Sequence, residues 1–339
     1  MKTNHCICID GGTSNTRASL WNGSRQELAA AQREIGVRNT SIDGNNNALK
    51  EAVSQCLEEV LRKGALAWED VGCIMAAGMI TSNLGLYEVP HLTAPAGLED
   101  FAAGVKTVSL PDIAPLPVHF VPGMRNIDVP VPREKLPQMD IMRGEEVETL
   151  ALLEQLPKNT GCVLILPGSH TKFVFVDQRQ RITGCMTTLS GEMLSLLTQQ
   201  SILADTVGSR FAEANTLDEA YLIRGYRVAE AYGLARAAFS CRIEGLFSDS
   251  STDQMASFLM GAVLQQDLLA LCRHLEKESA ADPYLFVAGK PSLRQALYTL
   301  LVKERKFGQV QELAQREELS AKGCMAVAET KALFPFDTP

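Results

Sequence analysis

The chain of 339 residues is long enough for two domains, because single hydrophobic cores stop growing near roughly 250 to 300 residues. Its hydrophobic fraction of 46% and charged fraction of 21% are typical of a globular protein and argue against a long disordered tail. The formal net charge of -8 argues against nucleic-acid binding, which needs clustered Lys and Arg. The N-terminal stretch lacks the apolar core of a signal peptide, and no apolar run reaches the roughly 20 residues of a membrane span. We therefore expect a cytoplasmic protein that binds neither nucleic acid nor membranes.

The nine cysteines are scattered and contain no CxxC pair. Cys6 and Cys8 share one face of a predicted strand, but no second pair completes a metal site. Reduced, buried thiols are therefore expected.

The first part of the chain predicts a β-meander followed by a crossover. Alternation and turn residues predict strands over residues 5–10, 16–21 and 27–35. An apolar stripe at helical spacing predicts a helix over 47–63, with Gly64 as its C-cap, and a buried strand follows over 71–77.

The next 60 residues, 78–137, are rich in Pro and Gly and predict loops with short strands such as 118–121. A helix is predicted over 144–155. The order of strand, glycine turn, strand, polar turn and strand then recurs over 162–187, a weak internal repeat. The rest predicts helices over 192–204, 226–240, 253–277, 293–306 and 319–331, and a strand over 284–288.

This order predicts an α/β protein of two similar halves. We place the N-terminal domain at 1–158 and the C-terminal domain at 159–339, and the final helix of the C-terminal domain is free to pack back on the first domain.

The first glycine turn follows the strand that ends at Asp10. Its backbone N–H groups and the hydroxyls of Thr13, Ser14 and Thr16 suit phosphate oxygens, and glycine lets the backbone approach a ligand. Asp10 suits Mg²⁺, a hard cation. An ordinary hairpin turn explains this stretch equally well, since neither a Walker A motif nor GxGxxG is present.

A second turn, Gly168-Ser169-His170-Thr171-Lys172, supplies two hydroxyls, an imidazole and an ammonium group. A basic surface turn is the alternative. Two such turns at matching positions in two halves make coincidence less plausible.

These two turns resemble the phosphate 1 and phosphate 2 loops of the sugar kinase, hexokinase and actin superfamily. More specific stretches resemble the 2-keto-3-deoxygalactonokinases over nearly the whole chain, namely AGMITSN at 77–83, EVPH at 88–91, APAG at 94–97, MRGEE at 142–146 and LPGSHTKF at 166–173. The chain departs from the family pattern at Thr81-Ser82-Asn83, where Gly-Ser-Arg is usual, and at Leu86, where Trp is usual.

The resemblance implies two similar ribonuclease-H-like domains with an ATP cleft between them. The N-terminal domain would carry the phosphate 1 loop, the sugar-acid site and the catalytic carboxylate, and the C-terminal domain would bind the nucleotide through the phosphate 2 and adenosine loops. It also implies transfer of the ATP γ-phosphate to the 6-hydroxyl of 2-dehydro-3-deoxy-D-galactonate, in galactonate degradation, with ATP and Mg²⁺ as cofactors. A kinase for a related sugar or sugar acid, or a non-catalytic nucleotide-gated relative, is the alternative. A dehydrogenase is disfavoured because the first glycine turn leads into a strand. The oligomeric state stays open, with a homodimer as one option.

The resemblance also implies residue roles. Glu145, directly after a glycine at a helix start, is the expected base, with Glu146 as the other candidate; first-turn acids that favour the helix dipole are the structural alternative. Arg143 is expected to bind the substrate carboxylate or the phosphoryl group, unless it pairs with Glu146 or Glu148. Asp10 is the expected magnesium ligand.

Further residues are expected to contact ligands. The substrate set is Ser82, Asn83, Arg143 and Glu145. His170 is expected to donate a hydrogen bond to ATP, and Lys172 is either a phosphate partner or a solvated strand residue. Gly261, in a long helix, is either a domain hinge or a packing residue. The residues expected to contact the nucleotide are Gly11, Gly12, Thr13, Ser14, Asn15, Arg17, Gly168, Ser169, His170, Thr171, Lys172, Gly289 and Ser292. The last two belong to the turn that resembles the adenosine loop of the superfamily.

Overall fold

The computed structural model describes residues 5–278, 283–303, 307–313, 318–334 and 336. The chain divides into two units. Unit 1 comprises residues 1–158, 180–185 and 317–339, and unit 2 comprises residues 159–179 and 186–316. The functional roles assigned to the two predicted domains, and the ATP cleft between them, stay predictions.

Unit 1 is built mainly from the N-terminal half of the chain. Its elements are β1 His5–Gly11, β2 Thr16–Asn22, β3 Glu27–Arg33, α1 Val37–Asp43, α2 Asn47–Gly64, β4 Val71–Gly78, β5 Leu92–Thr93, α3 Leu98–Gly104, β6 Lys106–Val108, β7 Val118–Phe120, β8 Met124–Arg125, β9 Ile141–Met142 and α4 Glu145–Leu153.

Unit 2 follows along the chain. Its elements are β10 Cys162–Leu166, β11 Thr171–Val176, β12 Ile182–Thr188, α5 Ser190–Gln199, α6 Glu219–Tyr232, α7 Leu234–Phe247, α8 Thr252–Glu278, β13 Tyr284–Val287, α9 Pro291–Lys303 and β14 Gln309–Glu312. The first four residues of β12 are assigned to unit 1, and the strand belongs to unit 2 from Met186 onward. The last helix, α10 Leu319–Thr330, returns to unit 1 and packs on α4 and α3.

The two main sheets share one strand pattern. The sheet of unit 1 has the order β3-β2-β1-β4-β7-β6, in which β1 pairs antiparallel with β2 and parallel with β4. The five-stranded sheet has the order β12-β11-β10-β13-β14, in which β10 pairs antiparallel with β11 and parallel with β13. In each case a meander is extended by crossover strands, which is the ribonuclease-H-like arrangement. The predicted fold class is confirmed.

Helix α2 covers one face of the unit 1 sheet with its apolar stripe, which is buried at Leu49, Val53, Leu57 and Val60. The assignment of Gly64 as the C-cap is wrong, because Gly64 is the last helical residue and Ala65 adopts the left-handed conformation, with φ 52°. A Cβ on Gly64 would lie 2.5 Å from Cδ2 of Leu20. Gly64 therefore lies in close contact with Leu20 of β2.

Unit 2 corrects another helix prediction. The predicted helix over 226–240 is two helices, because Gly233 has φ 81° and separates α6 from α7. Helix α6 begins earlier than predicted, after Asp218, whose side chain accepts a hydrogen bond from the N–H of Tyr221 at 3.1 Å. The predicted helix over 293–306 ends at Lys303 as far as the structure describes it, and residues 304–306 lie outside the described part.

Helix α8 is the core helix of unit 2. Its segment from Thr252 to Lys277 is long and apolar enough to cross a membrane, which the sequence analysis did not predict, but 78% of its apolar window is buried. A Cβ on Gly261 would lie 1.9 Å from the carbonyl oxygen of Leu222 on α6. Close packing of α8 on α6 therefore explains Gly261, and its role as a hinge stays a prediction.

All nine cysteines are free thiols, and all except the partly exposed Cys272 are buried. The expected burial of the thiols is confirmed for these eight. Helices α1 and α3 and strand β14 are elements that the sequence analysis missed.

Candidate active site

The first glycine turn lies where two parallel strands of unit 1 end side by side. Asp10 and Gly11, at the end of β1, are opposite Ala77 and Gly78, at the end of β4. A Cβ on Gly78, whose φ is 83°, would lie 2.7 Å from the carbonyl oxygen of Gly11 and 3.1 Å from Oδ1 of Asp10. Glycine at position 78 thus lets the backbone approach the Asp10 carboxylate directly.

The first glycine turn is held in shape by hydrogen bonds within unit 1. The N–H of Gly12 donates to the carbonyl oxygen of Asn15 at 2.8 Å, and the N–H of Arg38 in α1 donates to the carbonyl oxygen of Thr13 at 2.9 Å. Thr13, Ser14 and Asn15 are exposed. The turn therefore presents its tip to solvent, as a ligand-binding loop must.

Two side chains near this turn differ from the expectation. The buried hydroxyl of Thr16 donates to the carbonyl oxygen of Ile35 at 2.7 Å, so the prediction that it faces phosphate is wrong. Arg17 forms ion pairs with Glu27 at 3.4 Å and Glu318 at 3.2 Å, and its predicted contact with ATP has to compete with them.

Four carboxyl groups influence one another at the start of α4. Desolvation raises the pKa of Asp10 although its side chain reaches solvent; Arg17 lowers this pKa and Glu145 raises it. Desolvation, with Glu145 next, raises the pKa of Glu146 to about 8. Desolvation, followed by repulsion from Asp10, Glu145 and Glu146, raises the pKa of Glu148 to about 8. The cluster therefore favours a bound cation or a retained proton.

The two candidates for the base differ in accessibility. Glu146 is fully buried; its Oε2 accepts the N–H of Gly144 at 2.7 Å, and its Oε1 has no hydrogen-bond partner among the described residues. Glu145 is partly exposed, and its Oε2 accepts the N–H of Arg143 at 3.1 Å. Only Glu145 is open to an acceptor hydroxyl, which favours it as the base.

The guanidinium of Arg143 is engaged by the segment from Thr81 to His91. It donates to the carbonyl oxygen of Thr81 at 2.6 Å and also to the hydroxyl of Thr81, and to the carbonyl oxygen of Val89 at 3.0 Å. It also bonds to the ring of His91 at 3.0 Å. Desolvation, with the nearby charges of Arg143 and Arg125, lowers the pKa of His91 to about 4, so this imidazole is neutral near pH 7. Arg143 therefore fixes this segment, which the sequence analysis did not anticipate.

The predicted substrate residues Ser82 and Asn83 lie in that segment. The hydroxyl of Ser82 donates to the carbonyl oxygen of Met79 at 2.7 Å and is nearly buried, whereas Asn83 is exposed. Asn83 is thus the more accessible of the two.

The raised pKa of Glu146 predicts a pH dependence of stability. The folded chain keeps a proton that the unfolded chain, with a glutamate pKa of about 4.3, releases. The contribution of this proton to the stability of the fold is therefore fully present below about pH 4, and it is lost as the pH rises towards about 8. The free energy of unfolding should fall over this window, by up to about 1.4 kcal/mol per pH unit for this one group.

Urea unfolding between about pH 5 and about pH 8 would check this. We expect a shallower slope in Glu146→Gln and an unchanged slope in the control Glu58→Gln, whose side chain is exposed on α2. A slope in Glu146→Gln equal to that of the unmodified chain would contradict the assignment.

The second turn joins β10 to β11 in unit 2. Ser169 and His170 are exposed, and Nε2 of His170 lies 2.9 Å from Oε2 of Glu192. A Cβ on Gly191 would lie 2.0 Å from the carbonyl oxygen of Gly168, so the start of α5 packs directly on this turn. The turn tip is exposed to solvent, like that of unit 1.

Thr171 and Lys172 point into the unit. Lys172 is 7% exposed and its Nζ donates to the hydroxyl of Thr187 at 2.7 Å, so the alternative of a solvated strand residue is wrong. The hydroxyls of Thr171 and Ser190 are buried 2.8 Å apart. These side chains anchor the turn, and their predicted contacts with phosphate stay predictions.

Asp267 on α8 lies beneath this turn and was missed from the sequence. It is fully buried, and desolvation raises its pKa to about 6 while the nearby hydroxyls of Thr188, Ser190 and Thr171 lower it. Neither carboxyl oxygen has a well-aligned hydrogen-bond partner among the described residues. The sequence does carry one signal for this residue, because Asp267 is a single acid within an apolar helical stretch. A buried Asp is rare unless it is paired, so such a position stands out.

The predicted adenosine loop is close to the second turn. Gly289, with φ 114°, follows β13, and a Cβ there would lie 3.1 Å from the carbonyl oxygen of Pro167. Ser292 is partly exposed in the first turn of α9. The structure therefore brings Gly289 beside the start of the Gly168–Lys172 turn, at the carboxyl ends of parallel strands, where ligands bind in α/β sheets.

Comparisons with known proteins agree on one family. The model of the 2-keto-3-deoxy-galactonokinase family matches residues 10–327. The chain is 24% identical over 275 residues to the 2-dehydro-3-deoxygalactonokinase of Escherichia coli K12. The aligned residues cover 81% of this chain and 82% of that protein. The crystal structure of a candidate 2-dehydro-3-deoxygalactonokinase from Sinorhizobium meliloti superposes with a TM-score of 0.72 at 20% identity, over 95% of this chain and 98% of that one. The chain is therefore a kinase and a member of the 2-keto-3-deoxy-galactonokinase family.

Proposed function

We propose that this kinase transfers the γ-phosphate of ATP to the 6-hydroxyl of 2-dehydro-3-deoxy-D-galactonate, in the cytoplasm, as a step of galactonate degradation. The observation that carries the proposal is the partly exposed Glu145 carboxylate at the start of α4, within electrostatic reach of Asp10 at the glycine-lined end of β1. This arrangement offers a proton acceptor beside a group that suits magnesium.

Glu145 acts as the base. It accepts the proton of the 6-hydroxyl as that oxygen forms a bond to the γ-phosphorus and the bond from the γ-phosphorus to the bridging oxygen of ADP breaks. The N–H of Arg143 holds one oxygen of this carboxylate at 3.1 Å, which leaves the other oxygen for the hydroxyl.

Asp10 would hold Mg²⁺, which supplies charge stabilisation to the ATP phosphates. The excess of negative charge around Asp10 fits a divalent cation. No group of three or more His, Cys, Asp or Glu among the described residues has the geometry of a metal cage. This suits magnesium, which is commonly bound by one or two carboxylates together with water and substrate phosphates.

Phosphate binding is assigned to the exposed tip of each glycine turn, each within its own unit. Thr13, Ser14 and Asn15 contribute from the first turn and Ser169 and His170 from the second, because these residues are exposed at the turn tips. Thr171 and Lys172 hold the second turn in place, and Gly289 and Ser292 contact the adenosine.

Recognition of the sugar acid is assigned to Asn83 and the neighbouring segment. Arg143 positions this segment through Thr81 and Val89, so we assign it to positioning, and no longer to direct binding of the substrate carboxylate. Asn83 replaces the Arg that is usual in the family. A related sugar acid is therefore the second candidate for the substrate.

The position of the new phosphate tests this proposal. Phosphorus and carbon NMR of the product should show coupling of the phosphorus to C6, and an analogue without the 6-hydroxyl should not be phosphorylated. A phosphate on another oxygen, or faster turnover of a related hexonate, would overturn the assigned substrate.

A further inference from the structure

An apolar stripe on α7 of unit 2 is exposed and is not covered by any described residue. We define the α7 stripe as Phe239, Ile243, Leu246 and Phe247, whose exposed fractions are 45%, 38%, 60% and 82%. The opposite face of the helix is buried at Ala237 and Cys241, and Cys241 contacts Met255 of α8. Helix α7 is thus apolar on two faces, only one of which serves the core.

The spacing of the stripe is that of a helix-packing seam. Positions 239, 243 and 246 are separated by four and three residues, and Phe247 lies beside them on the same face. Ile202 is a further exposed apolar residue near α7, since its carbonyl oxygen accepts a hydrogen bond from Arg242 at 2.7 Å and its side chain is 62% exposed. A fully exposed aromatic side chain presents roughly 150 to 250 Å². The patch therefore reaches the size that marks interaction sites on soluble proteins.

The charges at the two ends of the stripe identify the partner. Arg236 is exposed on the stripe face, about two helical turns before Ile243, which is roughly 10 Å along the axis at 1.5 Å per residue. Asp249 is exposed just beyond the other end of the helix, two residues after Phe247. Neither forms an ion pair with any described residue. One end is positive and the other negative, so the surface complements a reversed copy of itself.

We propose that the α7 stripe is the homodimer interface of this kinase, in which α7 packs antiparallel on α7 of a second copy about a two-fold axis near Ile243. In this arrangement Phe239 faces Leu246 and Phe247 of the partner copy, and Arg236 faces Asp249. A two-fold interface must be self-complementary, and both the apolar spacing and the end charges meet this condition.

Sedimentation velocity of the full chain over a range of concentrations tests the proposal. The unmodified chain should be a dimer, and Ile243→Glu should raise the dimer Kd at least about 100-fold, because it buries an unpaired charge. The matched control is Val302→Glu, which alters a 42% exposed residue on α9 outside the stripe and should leave the dimer intact.

Charge reversal keeps the test informative if Ile243→Glu fails to fold. Arg236→Glu and Asp249→Arg should each weaken the dimer about tenfold, since each places like charges opposite one another. The combined variant should restore the Kd to that of the unmodified chain. A monomeric unmodified chain, or a dimer whose Kd neither Arg236→Glu nor Asp249→Arg changes, would overturn the proposal.

Discussion

Glu145→Gln should lower kcat by roughly 10² to 10⁴, the usual contribution of a general base. The physical reason is that glutamine has nearly the same shape but cannot accept the hydroxyl proton. The amide oxygen can still accept the N–H of Arg143, as the carboxylate does at 3.1 Å, so the local structure should persist. The KM for ATP should therefore change little, and steady-state kinetics with an ADP-coupled readout would measure both constants.

The exposed Glu58 on α2 provides the control for this substitution. Glu58→Gln makes the same chemical change far from the carboxyl cluster, and its kcat should equal that of the unmodified chain. A Glu145→Gln variant with full kcat would show that proton removal is assigned to the wrong residue. That result would support the structural alternative, in which Glu145 is an acid whose only effect is a favourable interaction with the helix dipole.

Gly78→Ala should destabilise unit 1 by about 2 to 5 kcal/mol and abolish most of the activity, because two separate penalties add. The φ of 83° is costly for alanine, and the new Cβ would lie 2.7 Å from the carbonyl oxygen of Gly11. It would also lie 3.1 Å from Oδ1 of Asp10. Denaturant unfolding would measure the loss of stability, and kinetics would measure the loss of kcat.

Gly44 separates the two penalties. Its φ is 68°, but nothing lies within 4 Å of an added Cβ. Gly44→Ala should therefore cost only the conformational penalty, roughly 1 to 2 kcal/mol, and should retain activity. Equal effects of the two substitutions would show that the close contact of Gly78 with Asp10 and Gly11 is unimportant.

The framework of the fold follows from local sequence patterns. The apolar runs of β1 and β10, each followed by a glycine turn and another strand, indicate the two meanders, since period and turn chemistry are local properties. The parallel pairing of β1 with β4 follows from the helix between them. These features need no knowledge of long-range contacts.

Helix α1 and the break at Gly233 could not be predicted in this way. Helix α1 has only seven residues, including Asn39, Thr40 and Ser41, and it is tied to the first glycine turn through the N–H of Arg38. At Gly233 the surrounding residues are good helix formers, and a lone glycine is tolerated in many helices. A contact with a distant turn supports α1, and the break between α6 and α7 is shown by the φ of 81° at Gly233.

The candidate site shows the same division. Asp10 is proposed from a glycine turn, and Glu145 is proposed from a helix start together with the family resemblance. The partners of Arg143 lie 52 to 62 residues away in the chain, at Val89, His91 and Thr81, and no spacing rule connects them. The location of Asp267 beneath the second turn likewise depends on how α8 crosses unit 2.

Release of ADP with 2-dehydro-3-deoxy-D-galactonate as the acceptor tests the central claim most directly. Pure protein with ATP and Mg²⁺ should release ADP far faster in the presence of this acid than in its absence. The rate with this acid should exceed the rates with other six-carbon sugar acids. Release of ADP at the acceptor-free rate with all of these acids would contradict the proposed function.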